Sequence, residues 1–312
     1  MTPLIVSGSG HRALAAAIAA ELGVELAEGA LGQFPDGEQR VELTAAPRGR
    51  PVFLVQPLGS PIGERLLELL LLADACRRSG AGSVTAVVPY LGLARQDRVT
   101  REGQPLGARV LAEALETASL ARILAVDLHG PAAVASFRTP IIQLTAVPAI
   151  APELAVGGTE GAVLVSPDLG AVKLCEAYAG LLRLPLAVIY KLRRSGSDVE
   201  VRSVMGEVRG RRALVVDDMI STGGTIEAAL DALLERGARP EVTVAATHGL
   251  FVGEARDRLR RPEIVGVLTS DSLPPAPGLP ERHRVVPLAS LFADAIRRIL
   301  GGEPLGELLA SR

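Results

Sequence analysis

A short polar stretch at residues 213–225 holds the residue types with the clearest chemistry. Asp217 and Asp218 follow four apolar residues typical of a buried strand, and hydroxyl and glycine residues come next, before a helical pattern begins. Backbone N–H groups at such a helix start can hold an anion, and the helix dipole favours negative charge there. The anion-binding residues would be Ser221, Thr222, Gly223, Gly224 and Thr225.

The two aspartates of this stretch narrow the choice of ligand. We expect Asp217 and Asp218 at the carboxyl end of their strand, where open α/β sheets bind ligands. Carboxylates repel a bare phosphate but accept hydrogen bonds from vicinal hydroxyls, so the stretch predicts a site for a ribose 5-phosphate unit. It holds no lysine and is therefore not the phosphate loop of the nucleotide triphosphatases. An exposed acidic turn before an ordinary helix N-cap is the alternative.

Polar side chains also follow two other predicted strands. Asp127 and His129 come after one strand, and Asp168 comes at the corresponding place in the second half of the chain. Near a phosphate loop these groups would orient Mg²⁺, which takes few protein ligands and completes its shell with water and substrate oxygens. The alternatives are an ordinary N-cap for Asp168, and for His129 a hydrogen bond to substrate or through water.

Two further strings carry groups suited to a nucleotide. Residues 90–107 form a long, charged stretch that fits a mobile active-site loop, in which Arg95 would pair with phosphates and Gln96 would contact a base. Phe34 lies beside Asp36, Gly37 and Glu38 on a predicted tight turn. Its ring would stack on adenine while the carboxylates take the exocyclic amine or nearby hydroxyls. A solvated loop and a plain turn are the respective alternatives.

A basic string follows the strand predicted at residues 186–190. Only two of the 33 basic residues are lysines, Lys173 and Lys191, so lysine is kept at few places in a chain that otherwise uses arginine. Lys191 and Arg193 begin a predicted β-hairpin or flap, and their cations would neutralise a transferring phosphoryl group. A solvated basic turn is the alternative.

The elements that position these groups alternate between strand and helix. This alternation predicts an α/β protein with parallel, doubly wound sheets flanked by helices. A glycine-rich break near residues 152–161 separates two halves of similar order, which indicates a duplicated domain. We expect an N-terminal domain at 1–147 and a C-terminal domain at 148–312, with the final helix packing back on the first. Strands are predicted at 3–7, 52–55, 84–88, 123–126, 163–166, 186–190, 213–216, 242–247 and 264–268, and helices at 13–22, 62–78, 106–117, 169–181, 226–236 and 288–300.

Composition excludes several classes of function. The chain has 312 residues, 48% of them hydrophobic and 22% charged, with a formal net charge of −2 at pH 7. This charge gives no electrostatic reason for binding nucleic acid or an anionic membrane, and no apolar run is long enough to span a bilayer. No signal peptide is evident, and Cys76 and Cys175 are interpreted as small core residues. We therefore expect a cytoplasmic protein.

The pattern Gly-Ser-Gly-His-Arg-Ala at residues 8–13 formally fits the dinucleotide-binding fingerprint. It lies between a predicted strand and a predicted helix, and Glu28 stands about where a ribose-binding acid would stand. The pattern is short, and chance matches are common in a strand-to-helix setting. We therefore do not predict a nicotinamide or flavin site.

In order and spacing, these strings together resemble the ribose-phosphate pyrophosphokinases, also called phosphoribosyl pyrophosphate synthetases. The resemblance covers nearly the whole chain. The string at 216–225 is shared with phosphoribosyltransferases generally, whereas the arginine–glutamine, histidine and lysine–arginine strings are specific to the synthetases. The matching pieces lie at residues 34–38, 89–98, 126–129, 166–168, 191–193, 216–225 and 246–248.

The resemblance implies two tandem phosphoribosyltransferase-like domains and transfer of the diphosphoryl group of Mg-ATP to the 1-hydroxyl of ribose 5-phosphate. It further implies a homo-oligomer, a dimer or larger, in which a neighbouring subunit completes the ATP site. The roles it implies are ATP binding by Phe34, Asp36, Gly37, Glu38, Arg95 and Gln96, magnesium binding by His129 and Asp168, ribose 5-phosphate binding by Arg193, Asp217, Asp218 and residues 221–225, and transition-state stabilisation by Lys191 with Arg193.

The chain departs from the family pattern at a few positions. Ser221 stands where many members have aspartate, and Gln33 where many have a basic residue. The serine and the lysine-x-arginine spacing resemble the archaeal-type branch. The alternatives are a phosphoribosyltransferase, for which the string at 216–225 alone would suffice, and a catalytically silent regulatory homologue.

Overall fold

The computed structural model describes residues 2–193 and 200–310, apart from the side chains at positions 28, 131, 191–193 and 200–202. The chain divides into two compact units. The first unit comprises Met1–Thr145, Ser272–Pro274 and Leu288–Ala310. The second unit comprises Ala146–Asp271 and Pro275–Pro287. None of the helices in the described part of the chain is long and apolar enough to cross a membrane.

Strands and helices alternate through most of both units. In chain order the elements are β1 (Leu4–Ser7), α1 (Arg12–Leu22), β2 (Leu26–Gln33), β3 (Gln39–Leu43), β4 (Pro51–Val55), α2 (Ile62–Arg78), β5 (Ser83–Val87), α3 (Gly107–Glu116), β6 (Arg122–Val126), α4 (Pro131–Ala135), β7 (Ile141–Leu144), α5 (Val147–Leu154), β8 (Ala162–Ser166), α6 (Val172–Leu182), β9 (Leu186–Arg193), β10 (Glu200–Met205), β11 (Arg212–Ile220), α7 (Gly224–Glu235), β12 (Val242–Gly249), α8 (Ala255–Arg258), β13 (Ile264–Ser270), β14 (His283–Val286) and α9 (Ala289–Gly301).

Each unit contains one sheet, and the two sheets have the same topology. The strand order is β3-β2-β1-β4-β5-β6-β7 in the first unit and β10-β9-β8-β11-β12-β13-β14 in the second. Within the described strands, β3 and β10 pair antiparallel with their neighbours and the other pairings are parallel. The common order confirms the predicted α/β class with mostly parallel sheets, and it supports the duplication.

The helices bury apolar stripes against these sheets. In α2 the buried positions Leu69, Leu72, Ala73 and Cys76 follow the spacing of one helix face. The helix α7 repeats this spacing in the second unit, with buried residues at Ile226, Ala229, Leu230 and Leu233. Each central strand is apolar on both faces because helices cover both sides of a parallel sheet.

Both cysteines are interior residues, as predicted. Cys76 and Cys175 are unbridged and buried. Burial raises the pKa of each thiol to about 12, so both stay protonated and unreactive at neutral pH. The Cys175 thiol donates to the carbonyl of Val216 at 3.2 Å, which joins α6 to β11.

Several predicted element ends were wrong. The strand predicted to end at Val216 continues to Ile220, and the following helix begins at Gly224 rather than at residue 226. The helix predicted from residue 169 begins at Val172, because Asp168 first accepts two backbone N–H groups in a turn. The helix α5 includes Pro152, where a break was expected.

At one edge of each sheet, two antiparallel strands continue past the end of the neighbouring parallel strand. The strand β2 pairs with β1 only over its first three residues and with β3 from Gly29 to Gln33. Five residues of strand span about 16 Å, so the β2–β3 turn lies well beyond the edge at which β1 ends. In the second unit β9 repeats this arrangement: Leu186–Val188 pair with β8, and the strand then pairs with β10 as far as Arg193.

The last helix belongs to the first unit. It packs against α1, where the Ser290 hydroxyl donates to Glu21 at 3.1 Å and the Arg297 guanidinium donates to the Glu21 carbonyl. The face that it buries includes Phe292, Ala293 and Ile296.

Candidate active site

The connection from β11 to α7, in the second unit, has the geometry of an anion-binding loop. Gly223 has a left-handed backbone, with φ of 77°, and the first turn of α7 begins at the next residue. The N–H groups of Ser221, Thr222 and Gly223 make no hydrogen bond with any other described residue. Unpaired N–H groups in a turn that leads into a helix are the groups that bind phosphate.

Three carboxylates lie close to this loop in the same unit. Asp217 and Asp218 lie in the C-terminal part of the strand β11. Asp168 follows β8, which pairs directly with β11. The pKa of Asp217 is raised well above its ordinary value, first by burial and then by the negative charges of Asp218 and Asp168. The Asp218 N–H donates to Asp217 Oδ1 at 2.8 Å. A cluster of this kind favours a bound cation or hydroxyl donors.

The predicted metal residue Asp168 also has a structural role. Its Oδ1 accepts from the N–H of Gly170 at 2.7 Å and from that of Ala171 at 3.2 Å. The side chain is nevertheless exposed. Because these bonds engage a single carboxylate oxygen, the turn and a contact from Asp168 to a cation are compatible.

Hard oxygen donors of this type fit Mg²⁺ when substrate supplies the other ligands. No three His, Cys, Asp or Glu side chains in residues 2–193 and 200–310 converge tightly enough to hold a metal ion by themselves. Mg²⁺ usually keeps several waters and binds through one or two carboxylates plus substrate phosphates. The carboxylates of this unit therefore suit a cation that arrives with its phosphates.

The predicted catalytic pair lies near the end of β9. The backbone of Lys191 pairs with Arg202, and that of Arg193 pairs with Glu200, on the neighbouring strand β10. The side chains of Lys191 and Arg193 lie outside the described residues, so their predicted roles stay predictions.

In the first unit, the loop after β5 carries Arg95 and Gln96. Residues 88–106 contain no helix or strand, as expected for a long connecting loop. Gln96 is tied at its backbone, since its N–H donates to Leu93 at 3.2 Å and its carbonyl accepts from Ala108 at 3.0 Å. The side chains of Arg95 and Gln96 are exposed, so they are accessible to a ligand.

The segment after β6 carries His129, which is exposed. Asp127, two residues earlier, is buried and has a left-handed backbone with φ of 35°. Its N–H donates to the Leu144 carbonyl at 3.0 Å, which holds this unusual conformation in place. Strained residues of this type often lie at functional sites.

The loops after β5 and β6 meet through a residue that the sequence analysis did not assign. A Cβ added at Gly130 would lie 2.6 Å from Asp97 Oδ2, so the Asp97 carboxylate fills the space beside Gly130. This contact brings the Arg95–Gln96 segment next to the His129 segment. Only the pairing of β5 with β6 reveals the contact, and no local pattern marks it.

The Phe34 turn forms the tip of the β2–β3 hairpin. The Phe34 N–H donates to the Glu38 carbonyl at 2.8 Å, and Gly37 takes a left-handed φ of 92°. Asp36 Oδ1 accepts from the Glu38 N–H at 3.1 Å, and the Phe34 side chain is 46% exposed. The confirmed tight turn therefore presents an aromatic ring to solvent.

This turn lies away from Arg95 and Gln96, the other predicted ATP-binding residues of its own unit. Two strands, β1 and β4, separate β2 from β5, which places the two strands about 14 Å apart. The hairpin also extends beyond the end of β1. The structure therefore brings Arg95, Gln96 and His129 into one region and leaves Phe34, Asp36, Gly37 and Glu38 at another.

The glycine pattern at residues 8–13 is occupied by the protein itself. The Ser9 N–H donates to Glu68 Oε1 at 2.5 Å, and the Gly10 N–H donates to Gln56 Oε1 at 2.9 Å. A Cβ at Gly8 would lie 2.4 Å from the Gln56 side chain. These side chains take the N–H groups that a dinucleotide phosphate would need.

Comparison with known families matches both halves of the chain. Residues 3–119 match the model of the N-terminal domain of ribose phosphate pyrophosphokinase. Residues 150–270 match the model of the phosphoribosyl transferase domain. The two matched regions fall on the two sheets described above.

Similar proteins extend over almost the whole length. A ribose-phosphate pyrophosphokinase of Clostridium acetobutylicum is 36% identical over 97% of this chain and 96% of its own length. Another from Caldanaerobacter subterraneus is 37% identical over the same shares of the two chains. The crystal structure of phosphoribosylpyrophosphate synthetase from Mycobacterium smegmatis matches with a TM-score of 0.89 and 33% identity, over 97% of this chain and 100% of that one.

Proposed function

The chain belongs to the ribose-phosphate pyrophosphokinase family, and on that premise we propose that it transfers the diphosphoryl group of Mg-ATP to the 1-hydroxyl of ribose 5-phosphate. The products are 5-phosphoribosyl 1-diphosphate and AMP, which makes the chain a transferase acting in nucleotide biosynthesis. The observation that carries the proposal is the loop at Ser221–Gly223, whose N–H groups lack partners among the described residues and which begins four residues after Asp217.

Ribose 5-phosphate occupies this loop in the proposal. The N–H groups of residues 221–225 and the dipole of α7 hold its phosphate. Asp217 and Asp218 accept hydrogen bonds from the ribose hydroxyls, which favours the ionised form of a carboxylate that is otherwise costly to charge. Arg193 adds positive charge near the phosphate.

His129 and Asp168 are the residues that would hold the magnesium ion of Mg-ATP, as the resemblance to the family implies. When bound, it neutralises charge on the phosphate oxygens of ATP. Asp168 would offer the carboxylate oxygen that its turn leaves unused, and the exposed His129 imidazole would offer a ring nitrogen to the ion or to one of its waters. Arg95 and Gln96 hold the nucleotide itself.

The reaction is an in-line displacement. The 1-hydroxyl oxygen attacks the β-phosphorus of ATP, the bond from that phosphorus to the oxygen shared with the α-phosphate breaks, and AMP leaves with that oxygen. The hydroxyl loses its proton in the process. Positioning and charge neutralisation carry most of such catalysis, so Lys191 and Arg193 act as cations on the transferring group rather than as nucleophiles.

We propose that the active form is a homo-oligomer in which a second copy completes the ATP site. The Phe34 hairpin tip extends beyond the sheet of its own unit and lies away from Arg95 and Gln96. An exposed aromatic ring at that distance suits the nucleotide of a neighbouring copy. The proposal keeps the division into functional domains at 1–147 and 148–312, and a cytoplasmic location. The archaeal-type branch stays a prediction.

Replacing Phe34 with alanine tests the stacking role. Stacking of a base on an aromatic ring is worth about 1–3 kcal/mol, so we expect KM for ATP to rise about tenfold. KM for ribose 5-phosphate and the melting temperature should change less, because Phe34 is 46% exposed at a hairpin tip and is not part of the core. Steady-state kinetics with each substrate varied gives both constants.

The control for this variant is Val156→Ala, which shortens another exposed hydrophobic side chain, 59% exposed, in the second unit. It should leave both KM values unchanged. An equal rise of both constants in Phe34→Ala would contradict the assignment of this ring to adenine.

Whether the protein forms or consumes phosphoribosyl diphosphate distinguishes the proposed function from the two alternatives. We expect Mg-ATP and ribose 5-phosphate together to form phosphoribosyl diphosphate, and neither substrate alone to do so. Consumption of phosphoribosyl diphosphate in the presence of a free base, with no need for ATP, would instead establish a phosphoribosyltransferase. Tight binding of both substrates without any turnover would establish a silent homologue.

A further inference from the structure

Three successive carbonyl groups, those of the last residue of β11 and of the first two residues of the candidate phosphate loop after it, accept hydrogen bonds from the segment after β12 and from α8. The segment after β12 supplies backbone donors to the first two, and a side chain on α8 supplies the donor to the third. The bonds run from the N–H groups of Leu250 at 2.9 Å and Phe251 at 3.1 Å to the Ile220 carbonyl, from the Val252 N–H at 3.0 Å to the Ser221 carbonyl, and from Arg258 Nη1 at 2.9 Å to the Thr222 carbonyl.

These bonds also fix the direction of the N–H groups on the other side of each peptide. In a trans peptide unit the C=O and the following N–H point in opposite directions within one plane. The carbonyls of Ile220, Ser221 and Thr222 point toward the β12–α8 segment, so the N–H groups of Ser221, Thr222 and Gly223 point away from it. These are the same N–H groups that lack partners among the described residues.

The Arg258 guanidinium is held at three points. Its Nε lies 2.9 Å from Glu227 Oε2 on α7, its Nη2 lies 2.7 Å from Glu254 Oε2, and its Nη1 donates to the Thr222 carbonyl. Its side chain is only 26% exposed. A planar guanidinium anchored by two carboxylates has little freedom to turn, so it can keep a peptide plane fixed.

The Thr222–Gly223 peptide is the one that most needs such a constraint. Gly223 has a φ of 77°, and glycine adopts positive and negative φ almost equally well. A rotation of this peptide would therefore meet little steric resistance. It would turn the Thr222 carbonyl oxygen toward the bound anion and remove the Gly223 N–H from it.

We propose that Arg258 is a positioning residue for the phosphate of ribose 5-phosphate. It holds the Thr222 carbonyl, and through that peptide it aims the Gly223 N–H at the phosphate. Its own charge is largely balanced by Glu227 and Glu254, so it acts through geometry rather than as a direct anion ligand. The proposal rests on the proposed function, since it names what sets the affinity of that site for its phosphate.

Replacing Arg258 with alanine should weaken ribose 5-phosphate selectively. We expect its Kd, measured by isothermal titration calorimetry on the full-length protein, and its KM to rise about tenfold, as for the loss of one hydrogen bond to a charged group. KM for ATP should stay unchanged. Arg258→Lys keeps a cationic donor but loses the planar guanidinium with its several donors. It should therefore retain part of the affinity for ribose 5-phosphate that Arg258→Ala loses.

Arg260→Ala is the matched control. Arg260 lies two residues further along the same segment and pairs with Asp257 at 2.8 Å, and its other hydrogen bond, at 3.4 Å, goes to the Gly278 carbonyl rather than to the loop. This variant should keep the wild-type Kd and KM values. Melting temperatures of all three variants separate loss of fold from loss of affinity, and if Arg258→Ala does not fold, Arg258→Lys decides the matter.

Wild-type affinity in the Arg258 variants would overturn the inference, and so would equal rises of KM for both substrates together with a matching fall in melting temperature. Failure of the proposed function has a different signature, because the wild-type protein would then not bind ribose 5-phosphate at all. In that event inorganic phosphate serves as the probe. A phosphate Kd that is the same in wild type and Arg258→Ala would overturn the inference independently.

Discussion

Replacing Lys191 with alanine is expected to lower kcat about a hundred- to a thousandfold while both KM values change by no more than about threefold. The expectation follows from a cation that acts mainly on charge developing on the transferring diphosphoryl group. Such an interaction is stronger in the transition state than in the ground state, so its loss appears in kcat. Steady-state kinetics over a full range of both substrates measures the split.

Lys173→Ala is the natural control, since Lys173 and Lys191 are the two lysines of the chain. Lys173 is exposed on α6 and should be dispensable. If Lys191→Ala raised KM and left kcat unchanged, the lysine would bind ground-state phosphate, and its transition-state role would be wrong.

Replacing Asp217 with asparagine is expected to lower activity and increase stability at the same time. The variant loses an ionic acceptor for the ribose hydroxyls, so kcat/KM for ribose 5-phosphate should fall about 10- to 100-fold. Burial and two neighbouring carboxylates raise the pKa of Asp217, which means that ionising it costs the folded state free energy. The variant should therefore be more stable than wild type at neutral pH, because asparagine carries no charge that must be buried.

The sign of this effect can be checked against pH. A carboxyl whose pKa is raised on folding contributes stability below its unfolded value, near 3.8, and that contribution is lost as pH rises through the folded value. The difference in melting temperature between Asp217→Asn and wild type should therefore grow from acid toward neutral pH. Thermal unfolding without ligand, followed from about pH 4 to about pH 8, measures it.

Asp74→Asn provides a comparison of opposite sign. Hydrogen bonding to Arg78 lowers the pKa of Asp74 on the exposed face of α2, so the same substitution there should not stabilise the protein. A melting temperature for Asp217→Asn that is equal to or below that of wild type at neutral pH would contradict this prediction. It would show that ionising Asp217 does not lower the free energy of unfolding.

The candidate phosphate site could be proposed from the sequence because its residues are contiguous. Asp217, Asp218 and the residues of the loop lie within nine positions of one another, and a strand followed by a helix places them together in any parallel sheet. The apolar runs of the central strands and the stripe of α2 are local patterns of the same kind, and α2 has the predicted bounds.

Features that depend on pairing between distant segments could not be predicted. The strand β2 contains two glycines and no β-branched residue, so only its neighbours β1 and β3 make it a strand. Arg258 lies 36 residues beyond Thr222, and nothing near it in the sequence marks a contact with the loop. The space that Asp97 fills beside Gly130 likewise follows from the pairing of two strands.

Two turns at the carboxyl ends of strands differ in whether their backbone N–H groups are paired. In the second unit, the N–H groups of the turn after β11 have no partner among the described residues. In the first unit, the N–H groups of the β1–α1 turn are taken by Glu68 and by Gln56, which follows β4. Side chains of the first unit therefore occupy the N–H groups of this turn. The residues of the first unit that are predicted to bind ATP or its magnesium ion lie partly on the loops after β5 and β6.

The identity of the nucleotide product tests the central claim most directly. Full-length protein is incubated with Mg-ATP and ribose 5-phosphate, and the nucleotides are separated by ion-exchange chromatography. Transfer of the diphosphoryl group predicts AMP in a one-to-one ratio with phosphoribosyl diphosphate, and no AMP when ribose 5-phosphate is omitted. ADP as the main product would mean that a single phosphoryl group is transferred, and it would contradict the proposed reaction.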